Sequence, residues 1–175
     1  MSAGIFQLAL ILATFLSSLV AGLLFVFAVV VMPGLKRLPD REFIRAFQVI
    51  DGVIQNNQPL FVLVWVGSVV TLITSAVLGI GQLDSVGRLL ISSAALIYLL
   101  GVQLPTITIN IPLNNKLQAP NVETMNEATQ KAARQAFEPR WNRWNSFRAA
   151  IALCLVNPSP VHTFTDGRIP ASRRC

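Results

Sequence analysis

The chain has 175 residues, 53% hydrophobic and only 13% charged, with a mean hydropathy of +0.59. Water-soluble domains carry roughly 25% charged residues, so this is an integral membrane composition, and the length suits one small bundle rather than two domains. The net charge of +6 does not signal nucleic-acid binding, because the cations lie between apolar runs and form no patch or aromatic-interleaved stripe; cations flanking membrane spans account for them.

The first apolar run covers 5–32, interrupted only by Thr14, Ser17, Ser18 and, near its start, Gln7. A span needs about 20 apolar residues, so this one crosses with tilt. It is not a typical signal peptide: no charge precedes it, and it outlasts an h-region of roughly 7–15 residues. Pro33-Gly34 ends it. In the connection that follows, "PDREFIRAFQVIDGVIQNNQP", Asp40 is a plausible N-cap. Phe43, Phe47, Ile50 and Ile54 give one apolar face, with Arg41 and Arg45 free to meet water or headgroups. The segment reads equally as a short helix lying on the membrane interface or as a solvated connector packed on the bundle.

The second and third runs, 60–80 and 89–109, are each long enough to span, at ~31 Å of helix. Lipid gives no hydrophobic drive for helix pairing, so small residues are expected at contacts. Thr14, Ser18 and Gly22 form one such ladder, and Gly67, Thr71, Ser75 and Gly79 another. The third connection, "NVETMNEATQKAARQAFEP", predicts a helix capped by Asn121. It carries a Glu127/Lys131 pair and a small-residue face of Met125, Ala128, Ala132 and Ala136. Pro139 either ends that helix or opens the next at its first turn. A fourth helix, 144–156, carries an apolar run only from Phe147 to Val156, with Arg148 just inside it. That is ~15 Å, half the hydrocarbon core, so it reads as a partial span. Residues 157–175 read as a polar, disordered tail. The fold class expected is thus an all-α membrane bundle over 1–156, with three full spans, a fourth helix cut short, and short interfacial helices.

Connection one carries Lys36, Arg37, Arg41 and Arg45. Connection three carries Lys116, Lys131, Arg134, Arg140 and Arg143. Connection two has only Arg88. The positive-inside rule puts connections one and three in the cytoplasm and the N-terminus outside. Arg168, Arg173 and Arg174 of the tail agree with this only if the fourth helix does not cross fully.

The scarce polar residues gather in two places. On the third run Gln103, Thr106 and Asn110 share one face. Pro105 and Pro112 each remove a backbone donor and crowd the carbonyl four residues back, so the helix should kink or open there. Such backbone survives only inside protein or beside water, and this face must look into the bundle. Further on, Trp141, Trp144, Asn145 and Arg148 share a face. An interface belt with a snorkelling arginine, a polar pocket closed by the two segments, and simple helix-to-helix glue all remain open for it.

"NIPLNNKL" followed by "WNRWNSFR" resembles the N-x-P-L-N and W-x-x-W-N-x-x-R pair of the anthrone oxygenase-like family of small membrane proteins. The likeness extends over roughly 5–153, with a weaker match in connection one, where Asp51 replaces an asparagine usual in that family. The resemblance implies a four-helix membrane fold. It also implies, from fungal members, oxygenation of anthrones to anthraquinones without metal or flavin. The motif positions carried over are Asn110, Pro112, Leu113, Asn114, Trp141, Trp144, Asn145 and Arg148. The departure is the end of the chain, since members generally finish with a complete apolar fourth helix.

Other chemistry is missing from the sequence. The single histidine, His162, lies in the tail. Cys154 and Cys175 have neither CxxC nor zinc spacing, no metal-ligand cluster is expected, and no P-loop or nucleophile elbow occurs. The candidate pocket residues are therefore Gln103, Asn110, Asn114, Trp141, Trp144, Asn145 and Arg148, with no cofactor and no metal. The partners expected are the lipid bilayer and a small hydrophobic aromatic. Asp51 is the one nearby candidate for a base, reached if its helix folds back under the bundle. The reading opposed to a ligand-binding protein or oxygenase is a non-catalytic membrane scaffold or interaction protein, whose polar groups only satisfy the helix break. Oligomeric state is not legible.

Overall fold

Proline cannot donate to the carbonyl four residues back and crowds it, and the long helices of this chain absorb that defect without breaking. The computed structural model describes residues 2–156, so the predicted tail 157–175 lies outside the described residues. These form five helices: α1 (Ala3–Leu35), α2 (Asp40–Gln55), α3 (Pro59–Gly79), α4 (Ser85–Gln118) and α5 (Glu127–Val156). α1, α3 and α4 are long and apolar enough to cross a bilayer, and the protein is an integral, multi-pass membrane protein. α5 is a further helix whose last turns join the bundle.

Each of three prolines is preceded by a widened, π-type turn, in which the residue before it donates five positions back. Met32 N–H bonds Phe27 O ahead of Pro33. Leu104 N–H bonds Leu99 O ahead of Pro105. Ile111 N–H bonds Thr106 O ahead of Pro112. Widening the turn moves aside the carbonyl that the pyrrolidine ring would strike. The break expected after "TITIN" is therefore absent. α4 stays helical to Gln118, nine residues beyond the expected end of the third span. Pro139 is likewise neither an end nor a start, because α5 runs through it for 30 residues. It lies on an exposed face, where the freed carbonyl can meet water.

Packing in the bundle follows the small residues, though not all those expected. α1 lies along α3 and α5. Its buried face is Phe6, Ala9, Ala13, Ser17, Val20, Ala21 and Leu24, one position away from the Thr14/Ser18/Gly22 ladder. The Thr14 and Ser18 hydroxyls donate to carbonyls of their own helix, and a Cβ on Gly22 would meet nothing. The second ladder does lie on the seam. Ser75 and Gly79 are buried, and a Cβ on Gly67 would come within 2.9 Å of Leu16 Cδ1. Val20, Ala21, Leu24, Tyr98, Val102, Ala149 and Ala152 fill the membrane core, and the Tyr98 hydroxyl shares a 2.9 Å hydrogen bond with Ser68 Oγ.

A second core caps the end of the bundle where connections one and three meet. α2 buries Phe43, Ile44 and Phe47 against Leu113, Leu117, Phe137 and Trp141. Asp40 opens this helix without capping it through its side chain. The first turns of α5 face Gln130 and Phe137 inward. Of the expected small-residue face, Ala128, Ala132 and Ala136 are exposed. Asn126, rather than Asn121, caps α5 by accepting from Thr129 N; Asn121 instead closes a single 3₁₀ turn. Arg41 and Arg45 pair with Glu123. Arg134 staples the two connections: it donates to the Lys36 and Leu38 carbonyls, pairs with Asp40 and Glu138, and lies 4.3 Å from the centre of the Phe43 ring. Burial opposes its charge, but Glu138 and Asp40 together hold its pKa above the ordinary arginine value.

Two glycines separate tight packing from apparent tight packing. A Cβ on Gly101 would fall 2.9 Å from Ile151 Cγ2, a branch fixed directly to its Cβ, whereas at Gly67 the obstacle is the mobile end of a leucine. Gly101→Ala is expected to cost about 1–3 kcal/mol through overpacking. Gly67→Ala should be neutral or slightly stabilising, because alanine is the better helix former. Thermal unfolding in detergent measures both, and Ile151→Ala should recover part of the Gly101→Ala loss if the clash is the cause.

Candidate functional site

Between the membrane core and the capping core lies a cavity of about 180 Å³, open at its mouth. Three helices supply most of its polar wall. α4 presents Thr106, Asn110 and Asn114 at four-residue spacing, α5 presents Trp141, Asn145 and Arg148, and α2 contributes Asp51. The rest is apolar, including Leu24 and Phe27 of α1, Phe47 of α2, and Phe61 and Trp65 of α3.

Arg148 is 4% exposed. One terminal nitrogen donates to Thr106 Oγ1 at 2.7 Å and the other to Asn145 Oδ1 at 3.0 Å; Nε has no partner. Both partners are neutral. Asn145 is oriented in turn by donating to the Leu24 carbonyl at 3.0 Å, so α1 helps aim the arginine. Thr106 follows the widened turn before Pro105 and donates to Val102 O at 2.6 Å. This leaves its oxygen lone pairs to face α5. Asn110 donates weakly to Trp141 O at 3.4 Å, and its Oδ1 has no partner. Two residues of the lining thus each keep a buried polar atom without a partner, a donor on Arg148 and an acceptor on Asn110, although buried polar atoms are normally satisfied.

Asp51 is 3% exposed. Its Oδ2 accepts from Gln55 at 2.7 Å and Gln118 at 3.1 Å, and its Oδ1 accepts from Asn114 at 2.7 Å. Each carboxylate oxygen has two lone pairs, so Oδ1 keeps one free. Asn114 ties this group to the aromatic wall, because its Oδ1 accepts from Trp141 Nε1 at 2.7 Å. The Trp141 ring stands 5.8 Å from Phe27 and 5.6 Å from Phe47, nearly perpendicular to the latter.

Of the seven residues expected from sequence, Asn110, Asn114, Trp141, Asn145 and Arg148 line this one cavity; Gln103 and Trp144 do not. Gln103 lies one turn deeper and acts on the cavity wall indirectly, its Oε1 accepting from Trp65 Nε1 at 2.9 Å. Trp144 is half-buried and turned away, its ring 5.5 Å from Phe147 in a T-shaped pair. Three positions after Trp141 is not a whole turn, and that rotation carries Trp144 off the face. Sequence reasoning missed Phe61 and Trp65; a lone indole inside an otherwise aliphatic run was the available signal. Among the described residues no group of three or more His, Cys, Asp or Glu side chains gathers in one place.

A family model described as anthrone oxygenase matches residues 52–155, well over half of the chain, and the chain belongs to that family. The match contains both polar segments of the cavity and begins just after Asp51. No curated protein and no solved structure matches the chain.

The two indoles of "WNRW" should respond differently to the same change. Trp141→Phe removes the donor to the half-buried Asn114, which costs about 0.5–1.5 kcal/mol for the lost hydrogen bond. Trp144→Phe breaks no hydrogen bond among those described and should stay within about 0.5 kcal/mol of the parent. Denaturant or thermal unfolding of the two variants in one detergent gives the comparison.

Proposed function

We propose that this protein binds a fused-ring aromatic phenol or ketone in the cavity and oxygenates it, as an anthrone-type oxygenase working without metal or flavin. The observation that carries the reading is Arg148, buried beside an apolar cavity with neutral partners and an unpaired Nε. A buried cation of this kind is complementary to an oxygen that becomes negative during a reaction. The size of the cavity agrees with an aromatic guest. Cavities of ~150 Å³ hold benzene, so this one takes about one ring and leaves the remainder of a tricycle at its mouth.

The chemistry asked of the chain is modest. Loss of a proton from the methylene carbon of an anthrone delocalises negative charge onto the carbonyl oxygen, which Arg148 stabilises. Asp51 accepts the proton at the free lone pair of Oδ1. Dioxygen then adds at that carbon, Asp51 returns its proton to the peroxide, and loss of water from the resulting hydroperoxide gives the quinone. One oxygen atom stays in the product and the other leaves as water with both methylene hydrogens. Phe27, Phe47 and Trp141 supply ring faces and edges for stacking. Connections one and three, with their cations, are assigned to the cytoplasm by the positive-inside rule.

The test is conversion of anthrone to anthraquinone, followed by absorbance in proteoliposomes against protein-free vesicles. Arg148→Met should lower the rate by about 10²–10³-fold, as for loss of an oxyanion donor. Asp51→Asn should lower it by about 10²–10⁴-fold, as for loss of a general base. Wild-type protein no faster than empty vesicles defeats the proposal. Variants that lose folded yield in step with activity favour the scaffold reading instead.

A further inference from the structure

The cavity walls differ in what lies behind them. On the side of the capping core, Asp51 is followed outward by Gln55, which also donates to Asn115 Oδ1 at 3.3 Å; both Gln55 and Asn115 are exposed. This is a polar path only two side chains deep. The other lining residues with exposure are Asn114 and the apolar Leu23, Phe27, Ile54, Phe61, Trp65 and Ile111, of which Ile54, Phe61 and Ile111 are drawn from α2, α3 and α4. Ile111 is 44% exposed, and the apolar neighbours Leu60 and Ile107 are 68% and 62% exposed. Exposed aliphatic groups on α3 and α4, both apolar enough to span, suit acyl chains better than water. No charged side chain is among these rim residues.

From this division we infer that the cavity is loaded sideways from the bilayer, through the gap rimmed by Ile54, Phe61 and Ile111, while water reaches it only along the Asp51–Gln55 side. The inference rests on the proposed reading for the identity of the guest, a lipid-dissolved fused-ring aromatic, but the direction of access stands on geometry. A molecule of this class concentrates in hydrocarbon, so a lateral mouth spares it a second transfer through water. The rim is built to stay open. Phe61 and Trp65 stack one turn apart on α3, with centroids 5.5 Å apart and planes 19° from parallel. Trp65 is pinned from behind by Gln103, so the pair forms a flat jamb along which a planar ring can slide. Gln103, outside the cavity, thereby acts as a positioning residue for the entrance.

Spin labels decide the matter without requiring turnover. Ile111→Cys and Gln55→Cys are made separately in the full chain with Cys154→Ser and Cys175→Ser, labelled, and reconstituted in phosphatidylcholine vesicles. Collision with dioxygen, which concentrates in lipid, is compared with collision with a neutral water-soluble nickel chelate. The label at 111 should favour oxygen over nickel by about tenfold relative to the label at 55. Adding 9,10-anthraquinone should lower oxygen access at 111 and leave 55 unchanged. Nickel access at 111 equal to that at 55 overturns the lateral mouth. The expected oxygen preference with no response to anthraquinone upholds the mouth and defeats the aromatic-ligand reading.

Discussion

Arg148 carries its charge into the seam between α1, α4 and α5, where only 4% of it is exposed. Its hydrogen bonds go to a threonine and an asparagine. A charge at the centre of a membrane helix costs at least ~2.5–3.5 kcal/mol, so whatever surrounds this one must keep it solvated by fixed dipoles. Each surrounding feature answers that demand. Asn145 turns its carbonyl oxygen to the guanidinium and its amide to Leu24 O, coupling α5 to α1. Thr106 turns its oxygen the same way from α4. The result is a partial solvation shell with one N–H left without a partner, on a residue that lines a cavity.

The prolines matter because they allow this shell to exist on a continuous helix. A regular α-helix through Pro105 and Pro112 would force ring against carbonyl twice within eight residues. The widened turns at Leu99–Gln103 and Thr106–Asn110 relieve both clashes and rotate the residues that follow. Thr106, Asn110 and Asn114 then point the same way, and that way is the cavity. Such turns recur at functional sites, and here the physical reason is visible: they re-aim side chains without exposing backbone to lipid.

Much of this was legible from residue types. The three long spans follow from long apolar runs, and the inward aim of the Thr106/Asn110 face follows from the cost of leaving amides in lipid, whereas the sequence alone left the Asn145/Arg148 face open between a pocket, an interface belt and helix-to-helix glue. What escaped depends on angle. The sequence shows that Pro105 and Pro112 disturb a helix, but a break and a widened turn share that signature, and only the neighbouring helices decide between them. Gln103 was grouped with the site by spacing, and Trp144 by spacing and by the family motif, yet a rotation of a fraction of a turn sends Trp144 toward Phe147 and sets Gln103 behind Trp65. The α1 seam was misplaced by one residue for the same reason: Thr14 and Ser18 satisfy their hydroxyls within their own helix and have no need of a neighbour. Asp51 was visible as a carboxylate near an amphipathic helix, but its burial beneath three amides required α2 to fold across the end of α4.

The position of Asp51 gives the cavity its electrical logic. Gln55, Asn114 and Gln118 all offer N–H groups to it, an arrangement matched to a group that only accepts. An asparagine there, as the resemblance would have it, would turn one of its own donors toward those three. The carboxylate and Arg148 line the same cavity without touching, since each is bonded to other partners. A guest between them meets a positive group and a negative group that have not cancelled. If the guest gives a proton to Asp51, the negative charge leaves the carboxylate and reappears on the guest, next to the guanidinium. On the proposed reading no net charge enters the membrane at any stage. In a medium of low dielectric, where Coulomb energies are many times those in water, a guanidinium beside the guest's oxygen would favour ionisation of a weakly acidic aromatic that holds its proton in the surrounding lipid.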